Sequence, residues 1–569
     1  MEAIPTNYGS EPSLTEDPAR GLSHRAKMEI LFAVMLGLFL GALDQTIVGP
    51  ALPTIATELT GNDLYVWSIT IYLLTSTISV PFWGKLSDLY GRKPIFMTGI
   101  VIFLIGSALS GLSQNMGMLI LFRGIQGIGA GSLFPVALAI IGDLFTPSER
   151  GKYQGLFGAV FGVAFVVGPL VGGFLTENIS WHWIFYVNIP IGLIALLVIQ
   201  RLLPNIKTQN SSRNFDVLGG AIFTVAISFL LVGLTNKQFG EWTDPTVGGF
   251  IIAGVVGSLL FIAAEARAKE PIVPLHLFRN RTYSSSMLST FFASFAFFGA
   301  IIFLPRWFQF VHGFSPTNSG LAALPLMIGL IFSSIVSGLL VSRTGRYKWL
   351  VVGAIVLMAI STGLMTQLTS TTDLAVVWFW MFLMGLGVGP TFSVFTIIIQ
   401  NAVSYRELGV ATSNLTFFRQ IGGSVALAIV GTIFGSTFLE KIGPEMATAG
   451  VPAPVVAGFG QATASGQLDF NNLTGVGDLG ALILENMPDA VRAAVEPFIT
   501  SIVAGIHQAF SLAVAQTFWV GVGAAVIAAV AAAFMIEHPL REDAPAVAAQ
   551  AASSPEGTAA LRPTSRPAD

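Results

Sequence analysis

The chain has 569 residues, of which 53% are hydrophobic and only 10% charged, with a mean hydropathy of +0.73 and a net charge of −3. A soluble protein carries roughly 25% charged residues and a disordered one needs low hydrophobicity, so both classes are excluded and a multi-span membrane protein remains. Cysteine is absent, which removes disulfides, thiolate nucleophiles and Cys-based metal sites.

A polar tail, 1–27, precedes the first apolar run. It lacks the pattern of a cleavable signal peptide, so that run is expected to persist as a spanning helix. A span needs about 20 mostly apolar residues. Fourteen segments qualify: 28–50, 64–83, 95–113, 117–142, 151–175, 183–203, 216–235, 247–265, 285–306, 319–341, 349–368, 374–399, 411–437 and 510–536. The expectation is an all-α polytopic membrane protein. Residues 28–203 form an N-terminal six-helix bundle, 216–265 two inserted spans, and 285–536 a C-terminal six-helix bundle. Within the last lies a mostly acidic extracytoplasmic loop, 438–508, whose later part reads as an amphipathic helix. The Ala/Pro/Ser-rich stretch 540–569 reads as a disordered tail.

Lys and Arg fall at alternating ends of these spans. Of 28, 22 lie at one set of ends and four at the other; Arg123 and Arg419 lie inside spans. The positive-inside rule then puts both termini in the cytoplasm and the chain, as a multi-pass protein, in the cytoplasmic (inner) membrane.

Residues 127–151 align without gaps on 385–409, sharing Gly127/Gly385, Gly129/Gly387, Gly131/Gly389 and Phe134/Phe392. Gly84, Gly91 and Arg92 repeat as Gly338, Gly345 and Arg346. Parallel repeats of this kind mark secondary transporters, with the binding site between the halves near the midplane.

The loop after span two reads Gly84-Lys-Leu-Ser-Asp-Leu-Tyr-Gly-Arg-Lys-Pro94. Its glycines permit a tight turn, while Asp88 and the basic residues can pair with neighbouring helix ends. The alternative is an ordinary positive-inside loop. Span five contains Gly162, Gly168-Pro169 and Gly172-Gly173. Pro169 removes a backbone hydrogen bond and the glycines leave a groove, features that generic helix packing also uses. Span one carries Leu43-Asp-Gln-Thr-Ile-Val-Gly-Pro-Ala-Leu-Pro53 and span four Arg123-Gly-Ile-Gln-Gly127. Span six carries Trp181-His-Trp-Ile-Phe-Tyr-Val-Asn-Ile-Pro190 and span thirteen Phe418-Arg-Gln-Ile-Gly-Gly423.

Together these motifs resemble the major facilitator superfamily. The span-five motif resembles its antiporter branch, and the others its fourteen-span drug:proton antiporters of the EmrB/QacA type. The resemblance covers about 30–437 and the last span. It implies the major facilitator fold, two six-helix bundles plus two inserted central helices. It also implies a cytoplasmic gating motif at Gly84, Asp88, Gly91 and Arg92, an antiporter motif at Gly168, Pro169, Gly172 and Gly173, and proton coupling through Arg123. Two departures stand out. His182 replaces the family's usual Arg, and Gly49-Pro50 replaces a common Asn-Val. Pro50 and Pro53 predict an irregular outer end for span one.

Asp44 is the one acid deep inside a span. An intramembrane charge is expensive, so it is a functional hypothesis by default. A carboxyl in a low-dielectric site can load and release a proton near neutral pH, and a neighbouring cation opposes that effect. Arg123 is the expected neighbour, a contact that the resemblance implies. The alternatives are a packing or capping carboxylate for Asp44 and a snorkelling side chain for Arg123. Gln45, Tyr72, Gln126, Phe295, Gln309, Asn414 and Arg419 are candidates for a substrate cavity; Arg419 could instead pair with a backbone carbonyl.

The function expected is proton-coupled multidrug efflux by alternating access, with lipophilic neutral or monocationic substrates. Dications are disfavoured, because one carboxylate opposed by Arg123 and Arg419 makes no strongly anionic cavity, unless Glu58 or Asp63 recruits cations at the mouth. The same fold would also serve an exporter of a specific metabolite or lipid, or a non-transporting membrane sensor. The sequence offers no nucleophile–base pair, histidine cluster or phosphate loop. No enzyme activity, metal, nucleic-acid partner or cofactor beyond the proton gradient is therefore expected. Its partners are lipophilic or cationic small molecules and the bilayer. It is expected to act as a monomer, with accessory envelope proteins left open.

Overall fold

The computed structural model describes residues 23–59, 64–204, 216–237, 240–404, 407–464, 479–485, 492 and 495–540. Of the expected tails 1–27 and 540–569, residues 1–22 and 541–569 lie outside them, as does the acid Asp63.

The described residues are helical, without strands. In the first half α1 is His24–Glu58, α2 Tyr65–Tyr90, α3 Arg92–Ser110, α4 Met116–Leu144 and α5 Pro147–Asn178. The sixth span is broken into α6, Trp183–Tyr186, and α7, Asn188–Leu202. The inserted pair is α8, Val217–Asn236, and α9, Phe250–Glu265. The second half comprises α10 (Arg281–His312), α11 (Pro316–Ala322), α12 (Leu324–Thr344), α13 (Lys348–Met365), α14 (Leu374–Ala402) and α15 (Leu408–Thr448). Two short helices follow, α16 (Ala453–Ala464) and α17 (Leu479–Glu485), before the last span, α18 (Ile499–Ala533).

Among the described residues thirteen helices are long and apolar enough to cross a membrane. The fourteenth expected span, α2, is a helix of 26 residues whose Ser and Thr content lowers its hydropathy. Polar caps set several starts. Ser23 accepts from the Ala26 N–H at 3.2 Å, and Asn115 from the Met118 N–H at 2.9 Å. A Thr146/Glu149 capping box opens α5.

Two expectations are corrected. Pro50 does not break span one: α1 runs on to Glu58, although the proline removes one backbone hydrogen bond. The stretch 438–508 is helical at both ends. It begins as the continuation of α15 to Thr448 and ends inside α18, which starts at Ile499 rather than at 510.

The repeat in sequence is a repeat in packing. A Cβ on Gly127 would lie 2.5 Å from the Tyr72 carbonyl oxygen, and one on Gly385 2.1 Å from that of Leu326. Gly131 closes on Ser79 and Gly389 on Ser333; Gly129 meets Gly99 and Phe103, Gly387 meets Ala354 and Met358. In each half the glycine face of one helix thus admits the backbones of two neighbours. The seams between the halves repeat as well, with Gly84 on Gly409 and Gly151 on Gly338. The inserted pair packs outside both bundles: Phe223 of α8 contacts Phe82 of α2 and Phe417 of α15, at ring distances of 5.9 and 5.2 Å.

Alanine at Gly127 or Gly385 is therefore expected to destabilise the fold by about 1–3 kcal/mol through overpacking. Alanine at Gly353, whose Cβ would meet nothing within 4 Å, should be neutral. Thermal unfolding of the three variants checks this, and equal midpoints would remove the backbone-contact account.

Candidate functional site

Asp44 sits in the middle of α1, 0% exposed, with Arg123 beside it at 2%. Arg123 lies about 10 Å along α4 from Met116, counting 1.5 Å per residue. Its Nη1 donates to Asp44 Oδ2 at 2.6 Å. Gln126, on the same helix face three residues on, donates through Nε2 to Asp44 Oδ1 at 2.7 Å. Asn188 Nδ2 donates to the same oxygen at 3.0 Å. Arg123 also donates to Gln126 Oε1 at 2.9 Å and to the Ser68 carbonyl at 3.4 Å. Its guanidinium lies 4.1 Å over the Tyr72 ring. Asn188 donates in addition to Ser107 Oγ at 3.0 Å, and Ser107 donates to the Phe185 carbonyl at 2.8 Å.

Asp44 caps no helix and Arg123 does not snorkel; they form a buried, hydrogen-bonded ion pair, the hub of the site. Desolvation of such a pair is costly, and it persists because each carboxylate oxygen accepts from a fixed donor. Protonating the carboxylate would remove the counter-charge of Arg123 and free a buried guanidinium.

Of the cavity candidates, Tyr72 and Gln126 belong to the hub, and Gln45 is exposed on α1 next to Asp44. The others lie elsewhere. Phe295 packs with Ala426 and Ala524 inside the second half. Gln309 donates to Ser319 Oγ at 2.7 Å, and Asn414 to the Tyr283 hydroxyl at 2.9 Å. Arg419 donates to the Thr391 carbonyl at 3.0 Å. Glu58 accepts from Trp181 Nε1 at 2.7 Å. Asn188 was missed as a site residue, although it stands in the quoted span-six motif; the break before α7 aims it at Asp44.

The Gly84–Arg92 motif forms a latch between the halves. Gly91, at φ 101°, makes the turn between α2 and α3 that an L side chain rarely adopts. Arg92 pairs with Asp88, and with Asp143 at the end of α4 through Nε at 2.8 Å. The Asp88 carboxylate accepts the Gly409 and Val410 N–H groups at 3.1 and 2.8 Å, so it caps α15 of the opposite half. Gly84 lets the backbones meet. The symmetric seam has Ser342 at the position of Asp88 and leaves Arg346 exposed, so it carries no such ionic cap. A second buried bridge crosses nearby, where Gln154 Nε2 donates to Gln400 Oε1 at 2.7 Å.

The span-five motif joins the hub to the other seam. Gly168 and Gly172 receive Thr46 and Ile47 of α1, just past Asp44, while Pro169 packs on Gly320 and Gly173 faces Thr317.

Residues 34–427 match the sequence signature of the Major Facilitator Superfamily. The chain belongs to this superfamily. It is thus a multi-pass membrane protein of a transporter family. Among similar proteins is the multidrug transporter protein MdtP of Bacillus subtilis (strain 168), 37% identical over 492 residues, or 84% of this chain and 89% of that one. Multidrug resistance protein 3 of the same organism is 36% identical over 417 residues, covering 73% and 80%. Among solved structures, a bacterial homolog of the human lysosomal transporter Spinster aligns with a TM-score of 0.54. It is 18% identical and covers 92% of this chain and all of that one, a likeness of fold. Within this facilitator, the hub occupies the first half only: Met381, which aligns with Arg123, is buried among apolar residues.

Proposed function

We propose that the protein is a drug:proton antiporter of the fourteen-span EmrB/QacA type, exporting lipophilic neutral or monocationic compounds by alternating access. The observation that carries the reading is the buried Asp44–Arg123 pair with its Gln126 and Asn188 donors. In the outward-open state Asp44 takes a proton from outside, which removes the counter-charge of Arg123 and leaves it only its neutral partners, Gln126 and the Ser68 carbonyl. The change reaches the seam between the halves through Thr46 and the α5 glycines. Asp88 and Arg92 hold the basic ends together until that seam rearranges. The basic ends and both termini face the cytoplasm, and the protein works as a monomer in the cytoplasmic membrane. It needs no cofactor beyond the proton gradient and catalyses no chemical reaction.

Charge balance limits the substrate. One proton exchanged for one monocation moves no net charge, so the membrane potential, worth ~2.3 kcal/mol per charge per 100 mV, neither helps nor opposes. A dication would require further negative charge in the cavity to offset its desolvation. Asp44 is already neutralised by Arg123. Cells expressing the protein are therefore expected to resist a monovalent dye and to gain little protection against a divalent quaternary ammonium compound. Equal protection against both would overturn the charge argument, and a loss of export on collapsing the proton gradient is required of either substrate.

A further inference from the structure

We infer that Arg419 and a cluster of aromatic rings from both halves form a subsite for flat aromatic compounds bearing a single carboxylate. The inference rests on the efflux reading and widens its substrate range.

Arg419 is set in α15, with its guanidinium 4.2 Å over the Phe392 ring. Among the described residues it makes one hydrogen bond, to the Thr391 carbonyl at 3.0 Å. A guanidinium has five N–H donors in a planar fork that suits carboxylate. Among the described residues no carboxylate lies within ion-pair distance of it. This contrasts with Arg92 and Arg123, each of which has its acid.

The surroundings are aromatic. Phe392 contacts Phe161 of α5 and Phe297 of α10, at 5.5 and 5.6 Å between centroids, and Phe161 stacks on Phe134 of α4 at 4.8 Å. Rings from α4 and α5 thus meet rings from α10 and α14 on the surface between the halves. Measured at 1.5 Å per residue from the basic ends of their helices, Arg419 and these rings lie at roughly 15–24 Å, within a hydrocarbon core about 30 Å thick. The hub draws on α1, α2, α4 and α7 and is a separate place. A cation held over an apolar ring without a counter-ion is costly in the empty state. A bound aromatic carboxylate would supply both the missing charge and a face for stacking.

The test uses the full-length protein in lipid nanodiscs and two fluorescent probes, anthracene-9-carboxylate and the trimethylammonium analogue of the same ring. Arg419→Gln is expected to weaken carboxylate binding on the order of tenfold or more, the loss of a charge-assisted contact, and to leave the cationic probe unchanged. Arg419→Lys should fall between, since it keeps the charge but not the planar fork. Unaltered carboxylate binding by Arg419→Gln would overturn the proposal. So would an equal loss of both probes, which would assign Arg419 a packing role. Proton-driven export of a monovalent dye is measured on the same preparations. If it persists while the wild type fails to bind the carboxylate, the subsite is wrong and the efflux reading stands. If the carboxylate binds through Arg419 and no dye is exported by the wild type, the subsite stands and the efflux reading fails.

Discussion

Replacing Asp44 with asparagine is expected to abolish export driven by a pH gradient, and to lower stability as well. Stability falls because asparagine leaves Arg123 buried without its counter-charge. Breaking one side of a buried pair costs about 3–5 kcal/mol. The double variant Asp44→Asn/Arg123→Gln removes the orphaned charge and keeps polar groups for Gln126 and Asn188. It should recover most of the thermal stability and none of the proton-driven export. Transport in proteoliposomes with an imposed gradient, alongside thermal unfolding, separates the two effects. A stable double variant that still exports against the gradient would place the proton elsewhere.

Asp88→Asn is expected to slow turnover by about tenfold to a hundredfold while changing drug affinity by no more than about threefold. The carboxylate accepts two backbone N–H groups of α15 and pairs with Arg92. An asparagine amide has one acceptor oxygen, and its NH2 group would face donors. Hydrogen bonds to charged groups contribute about 1.5–3 kcal/mol each, enough to shift a two-state gate by those factors. Affinity should hold because the latch lies at the basic end, away from the hub. Equilibrium binding measured beside the transport rate decides it; an unchanged rate with lost binding would put this loop in the substrate path.

The membrane spans were legible because an apolar run of twenty residues has few other fates. Their ends were not, since α15 and α18 continue past the apolar runs on packing that the sequence does not announce. The repeat was legible because close backbone approach demands glycine, and glycine leaves a mark at fixed spacing. Asp44 stood out by its cost. Its partner Arg123 was legible through motif resemblance, whereas Asn188 needed the break between α6 and α7 to bring it there. The cross-half role of Asp88 was hidden for a different reason: its partners are the backbone N–H groups of Gly409 and Val410, over 300 residues away, and a backbone group has no residue identity to read.

The central claim is that Asp44 carries the transported proton. Its most direct test is proton release on drug binding, followed with a pH-sensitive dye in weakly buffered solution. The wild-type protein is expected to release protons when a lipophilic monovalent substrate is added, and the Asp44→Asn/Arg123→Gln variant none, with substrate binding to both verified independently. Undiminished release by the double variant would contradict the account.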